Sequence, residues 1–189
     1  MALSSSIKKH LQTLNLSGKR KEALSFLRKY ISSQKSDSEA KLKFAWFLYH
    51  VALDEEKGKK MRKHLTEAKK IYETVLKNKL TKDKLSIMNA RMCLAQIMAI
   101  LGEKEAIKIA KENFSSQKSV LMSNRLADVY WRLGDNQKAL WWFKKSERLA
   151  GNNKKDLLVA KLALLNFYKR QSKKVLAKKY QKKFLNLCK

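Results

Sequence analysis

The side chains able to do covalent or acid–base chemistry are few and far apart in this sequence. His10, His50 and His64 would each need a nucleophile, a second base or a metal beside them, yet they fall in different helical or basic segments. A lone helical histidine is far more often structural or exposed than a ligand. Cys93 and Cys188 lack the paired spacing of a zinc or redox motif, and Cys93 lies between Met92 and Leu94, where a thiol behaves as a small hydrophobe. There is no glycine-rich phosphate loop, no paired-carboxylate signature and no nucleophile elbow. The expectation is a chain that is not an enzyme, with no catalytic residue, no metal and no cofactor.

What the chain has in abundance is positive charge. Lys+Arg number 44 against 16 Asp+Glu, a formal +28 that draws phosphate, acidic protein segments or anionic lipid from a distance. Because lysine far outnumbers arginine, a compositional bias that merely solvates exposed faces is the competing explanation. Two segments concentrate the charge. The run from Lys57 to His64 holds Lys59, Lys60, Arg62 and Lys63, and reads as an expanded connection between two helices. The stretch from Leu157 to Lys189 has no acidic residue, and Lys174, Lys178 and Lys182 recur there at helical spacing. Like charges three and four apart cost a helix a few tenths of a kcal/mol per pair, so an anionic surface would relieve both segments. A plain solvated face accounts for them as well.

These residues must be positioned by helices. Proline is absent and only 5 Gly occur in 189 residues, while 44% hydrophobic content suffices for a continuous core. The longest apolar stretches, Phe44 to Leu53 and Met92 to Leu101, fall short of the roughly 20 residues of a membrane span. Two unpaired cysteines fit a reducing compartment. The expected location is therefore the cytoplasm. Met1 to Lys21 lacks acidic residues, as transit peptides do, but has no secretory apolar core and reads well as a first helix.

Internal repetition is the strongest signal. From Leu126 to Phe143 the chain reads LADVYWRLGDNQKALWWF, with small residues at Ala127 and Ala139, Tyr130 beside the first and Gly134 at the turn between them. Small residues allow close helix approach, and a glycine ends a helix in a conformation most residues avoid. The same grammar recurs at Leu94-Ala95 with Gly102 and Ala106, and at Gly18 with Ala23 and Leu27. A degenerate copy has Ala45, Leu48, Ala68 and Tyr72, and a last one has Ala163, Leu176, Tyr180 and Phe184. This pattern resembles the tetratricopeptide repeat (TPR). Ser123 replaces the family's early aromatic and Gly151 its closing proline. The resemblance implies an all-α, right-handed α-solenoid of about five TPR-like antiparallel helix pairs, one domain over 1–189 with repeats near 4–34, 38–79, 84–115, 119–150 and 154–188.

In such stacks the first helix of each pair lines a concave groove. Aligning the copies on that basis turns Lys8, Lys9, Lys43, Trp46, Tyr49, His50, Arg125, Asp128, Trp131, Arg132, Lys161, Phe167 and Tyr168 inward. Aromatic residues at helical spacing also serve as core, and for Trp46, Trp131 and Phe167 the two readings are balanced. The chaperone-tail clamp of some family members maps to Lys8, Gln12, Lys43, Asn89 and Cys93, where only the first basic position survives. The resemblance favours a non-enzymatic scaffold or adaptor whose groove takes an acidic protein partner. The alternative is an RNA-binding or ribosome-associated helical repeat, with bases stacked on Trp46 or Trp131. Peripheral attachment of the last helix to anionic membrane ranks third, because that helix needs its apolar face for packing.

Overall fold

The computed structural model describes residues 3–55 and 58–188, and among them the chain is entirely helical. Ten helices follow one another: α1 (Ser5–Leu16), α2 (Arg20–Ser33), α3 (Ser38–Asp54), α4 (Lys59–Lys77), α5 (Lys84–Ile100), α6 (Ala106–Ser116), α7 (Val120–Arg132), α8 (Asn136–Ala150), α9 (Lys154–Arg170) and α10 (Lys174–Cys188). The helix limits fall within a few residues of the ranges read from the repeated pattern. Met1, Lys57 and Lys189, the last two counted in the basic segments, lie outside the described residues.

The helices that open each pair start on a side-chain cap. Ser4 caps α1, Asp37 α3, Asp83 α5, Ser119 α7 and Asn153 α9, each accepting a bond from an N–H that the helix itself leaves unpaired. Of the others, α8 carries a similar cap from Asp135. The chain turns between the helices of four pairs or successive pairs through one recurrent geometry. At Gly18, Lys79, Gly134 and Ser172 the backbone takes positive φ, at 74°, 49°, 87° and 54°. In each case the next N–H reaches back to close the helix: Lys19 to the Leu14 carbonyl, Leu80 to Val75, Asp135 to Tyr130 and Lys173 to Tyr168. This is the Schellman ending, and it satisfies carbonyls that would otherwise lack donors.

The chain divides into two compact units, Met1–Leu101 and Gly102–Lys189. In the first, α2 packs between α1 and α3, α3 pairs with α4, and α5 lies against both α4 and α3. Its core is built from Leu27, Leu48, Leu65, Val75, Met92 and Ile97. In the second, α7 pairs with α8 and also touches α6 and α9, while α9 packs on α8 and α10. Met122, Leu126, Val129 and Leu164 fill this core, and Val120, Ala150 and Ala160 form a cluster against which Leu157 packs. Of the pair expected over 84–115, α5 belongs to the first unit and α6 to the second.

The small residues of the repeated pattern lie in the core. Ala23, Ala45, Ala68, Ala95, Ala106, Ala127 and Ala139 are all fully buried. The exception is α9, where Ala163 is only half-buried and Ala160, one turn earlier, meets Val120 and Ala150 instead. The basic run also differs from expectation. Lys59 to His64 are not an expanded connection but the opening turns of α4. Lysine, methionine and arginine are good helix formers, and nothing after Gly58 interrupts them. Glu55 offsets part of the charge, lying 3.7 Å from the Lys60 ammonium and 3.0 Å from His64 Nδ1.

Candidate functional site

In the first unit, the expected groove residues divide between surface and core. Lys9 and Lys43 are exposed, and Lys8 is exposed but bridged to Glu39 at 2.9 Å. Tyr49, read from sequence as facing a partner, is instead buried at 4% exposure, because the apolar stripe of α3 is wide enough to take it into the core. Trp46 is half-buried, with its ring edge-on to Phe47 and 4.0 Å from the His50 ring. Burial, and then the nearby Arg20 charge, push the His50 imidazole down to about 4 against an opposing pull from Asp54. Arg20 itself is held by Asp54 at 2.6 Å. His50 is therefore a neutral packing ring at physiological pH. Among the described residues no group of His, Cys, Asp and Glu is placed to hold a metal.

In the second unit, α7 and α9 run side by side in the same direction. Val120, the first residue of α7, shares a buried cluster with Ala160 in the first half of α9, and Asp128 and Trp131 meet Arg170 toward the ends of both helices. The buried face of α7 leaves Leu121, Arg125, Asp128 and Arg132 along one outer stripe. On α9 the matching stripe carries Val159, Leu162 and Arg170. Contact between Arg170 and Asp128 at 3.6 Å shows that the two stripes adjoin. Asp128 also accepts a 2.6 Å bond from Arg132, and both guanidinium groups lie over the Trp131 ring, at 5.7 Å for Arg132 and 4.5 Å for Arg170. Trp131 is thereby already covered by cations.

Two further expected groove residues here are core. Phe167 and Tyr168 are each 4% exposed, because α8 places Phe143 against Phe167 and α10 places Tyr180 against Tyr168. Lys161 is likewise enclosed: its ammonium meets Glu147 of α8 at 2.6 Å with 13% of its side chain exposed. Tyr180 donates to the other oxygen of Glu147 at 3.4 Å, and burial followed by that carboxylate pushes the phenol up to about 12. In place of the expected aromatics the α7/α9 surface offers aliphatic contact. Leu121, Val159 and Leu162 are 46%, 43% and 42% exposed, on the same stripes as Arg125, Arg132 and Arg170. Leu121, Val159 and Leu162 went unnoticed in the sequence because their residue types suit a core.

The basic segments lie where solvent reaches them. Lys59, Lys60, Arg62 and Lys63 are exposed on α4, where Lys59, Arg62 and Lys63 line a shallow depression with Thr66, Glu67 and Lys70, and Lys174, Lys178 and Lys182 are exposed on α10. Another surface was missed. On α8 the buried residues Ala139, Phe143, Ser146 and Ala150 recur at helical spacing, which turns Trp141, Lys144, Lys145 and Arg148 outward. The period of that stripe was legible in the Ala139-Leu140-Trp141-Trp142-Phe143 run, but both tryptophans read as part of the repeat. Among the described residues no helix is long and apolar enough to cross a membrane. A scan against protein-family models finds no match to the chain, and a search of curated proteins finds none either.

Proposed function

We propose that the chain is a non-enzymatic adaptor built as a right-handed, TPR-like stack of helical hairpins, and that it binds an acidic protein segment bearing apolar side chains. Support for the architecture comes from the recurrent helix ending at Gly18, Lys79, Gly134 and Ser172 and from the fully buried alanines of successive hairpins. The observation that carries the binding reading is the paired stripe on α7 and α9. Leu121, Val159 and Leu162 stay open to solvent beside Arg125, Arg132 and Arg170. Apolar side chains exposed along adjoining helix stripes offer a surface that a partner would cover. Arginine beside such a patch supplies directed, bidentate recognition of carboxylates. The Asp128 carboxylate holds Arg132 and Arg170 in place, so less side-chain entropy is lost when a ligand arrives.

Affinity purification of the tagged chain after nuclease treatment tests this reading. It should recover one partner reproducibly, and an acidic segment of that partner should bind the pure chain. Leu162→Asp places a negative charge among the aliphatic contacts, and Arg125→Ala removes a cation at the same face. Either change should weaken binding at least tenfold. Retention of the partner by the double variant would dismiss this surface.

A further inference from the structure

Trp141 is half exposed, at 50%, yet its surroundings fix it. Its ring stands edge-on to Trp142, with centroids 4.8 Å apart and planes at 84°. Trp142 in turn packs edge-on against Phe114 of α6, at 4.8 Å and 73°. The exposed indole is thus the outer member of a three-ring stack anchored in the second unit. The Lys145 ammonium sits in the corner of that stack, 4.9 Å from the Trp141 ring, 4.6 Å from Trp142 and 5.0 Å from Phe114. The Arg148 guanidinium also lies over the Trp141 ring, 6.0 Å from its centroid. Lys144 is exposed one turn along, and spacings of three, four and seven residues keep all of these on one helix face. The carboxylate on this helix does not cancel them, because Glu147 is turned to Lys161 and Tyr180.

An exposed hydrophobic ring costs free energy in water, and the cations drawn to its face offset only part of that cost while gathering positive charge around it. We infer that the α8 face of Trp141, Lys144, Lys145 and Arg148 holds single-stranded RNA, with a base stacked on the Trp141 indole and flanking phosphates on the three cations. A flat open ring flanked by positive charge matches an unpaired base flanked by its own phosphates. RNA is the nucleic acid whose loops and single strands present bases in this way. A membrane surface fits less well, since an interfacial helix needs a broad apolar face and this one offers Trp141 and Leu149 among charges. Trp131 is the poorer platform, because its ring is only partly exposed and two guanidinium groups lie over it, Arg170 at 4.5 Å and Arg132 at 5.7 Å. This inference goes beyond the adaptor reading and uses a different helix face.

Fluorescence anisotropy with a labelled, mixed-sequence single-stranded RNA of about 16 nucleotides tests it. The full chain should bind near 0.15 M salt, with affinity falling log-linearly as salt rises. Trp141→Ala should weaken binding roughly 5- to 150-fold, the span of one base–aromatic stack, while Trp141→Phe stays within a few-fold of the parent. Lys144→Ala with Arg148→Ala should flatten the log–log salt slope by about 1.4, two phosphate contacts on a single strand. Leu162→Asp, which tests the adaptor surface, should leave RNA affinity unchanged. The inference is overturned if Trp141→Ala binds as tightly as the parent, or if the parent does not bind. It is overturned equally if duplex RNA or single-stranded DNA of the same sequence is strongly preferred. So it is if phosphatidylserine vesicles or polyglutamate, and not RNA, show the dependence on Trp141.

Discussion

His50 should make the first unit acid-sensitive in a defined window. Its imidazole is half-buried against Trp46 and Tyr49, 4.0 Å and 5.1 Å between ring centroids, and close to the Arg20 charge. In the unfolded chain it protonates near 6.5, and in the folded chain at about 4. Between those values the unfolded state binds more protons, so stability that is complete above pH 6.5 is lost as pH falls toward 4. The gap of about 2.5 in pH would be worth roughly 3.4 kcal/mol for a fully enclosed ring. Because water reaches part of the imidazole and screens Arg20, about 1–2 kcal/mol is the expected loss. Urea unfolding of the parent and of His50→Phe at pH 7 and pH 4.5 isolates this contribution, since other titrating groups cancel in the double difference. The parent should lose about 1–2 kcal/mol more than the variant. Equal losses, or an NMR titration of the His50 ring with its midpoint near 6.5, would refute the assignment of burial as the cause.

Other expectations concern the elements that build the hairpins. Asp37 is buried, caps α3 through the Ala40 N–H at 2.9 Å and accepts from the Tyr30 hydroxyl at 3.2 Å, so Asp37→Ala should cost about 2 kcal/mol in denaturant unfolding and Asp37→Asn well under half of that. Ala127 has no exposed surface, and Ala127→Leu should destabilise the second unit by about 1–3 kcal/mol, read as a lowered unfolding midpoint. Ser172 sits at φ 54° and Gly134 at φ 87°, with open space where a Gly134 side chain would go. Ser172→Gly should therefore stabilise by about 0.5–1 kcal/mol and Gly134→Ala destabilise by about 1 kcal/mol, as backbone strain alone demands. Matching signs for the two changes would show that something other than left-handed backbone governs these turns.

On the two proposed readings, separate surfaces of the second unit divide the chemistry between them. The α7/α9 stripe is aliphatic with arginines steadied by Asp128, a setting for a protein chain with carboxylates and apolar side chains. The α8 face is one rigid indole among cations, a setting for a base and its phosphates. The Leu162→Asp and Trp141→Ala variants test the two proposals separately.

The helices and their limits follow from local chemistry that a sequence displays. Ser4, Asp37, Asp83, Ser119 and Asn153 announce helix starts, and Gly18 and Gly134 announce ends, because caps and positive φ are demands of single residues. Lys79 and Ser172 adopt the same turn without a glycine, so there the backbone is set by the hairpins on either side and no residue type signals it. Burial of Ala127 and Ala139 was legible for a similar reason, since small residues at helical spacing have one common use. Which aromatics face outward was not. Tyr49, Phe167 and Tyr168 went into the core while Trp141 stayed open, and Lys161 and Arg132 found carboxylates, because exposure depends on which neighbouring helix covers a given face. A residue's own type and spacing fix the stripe it belongs to; only the packed partner decides whether that stripe is inside.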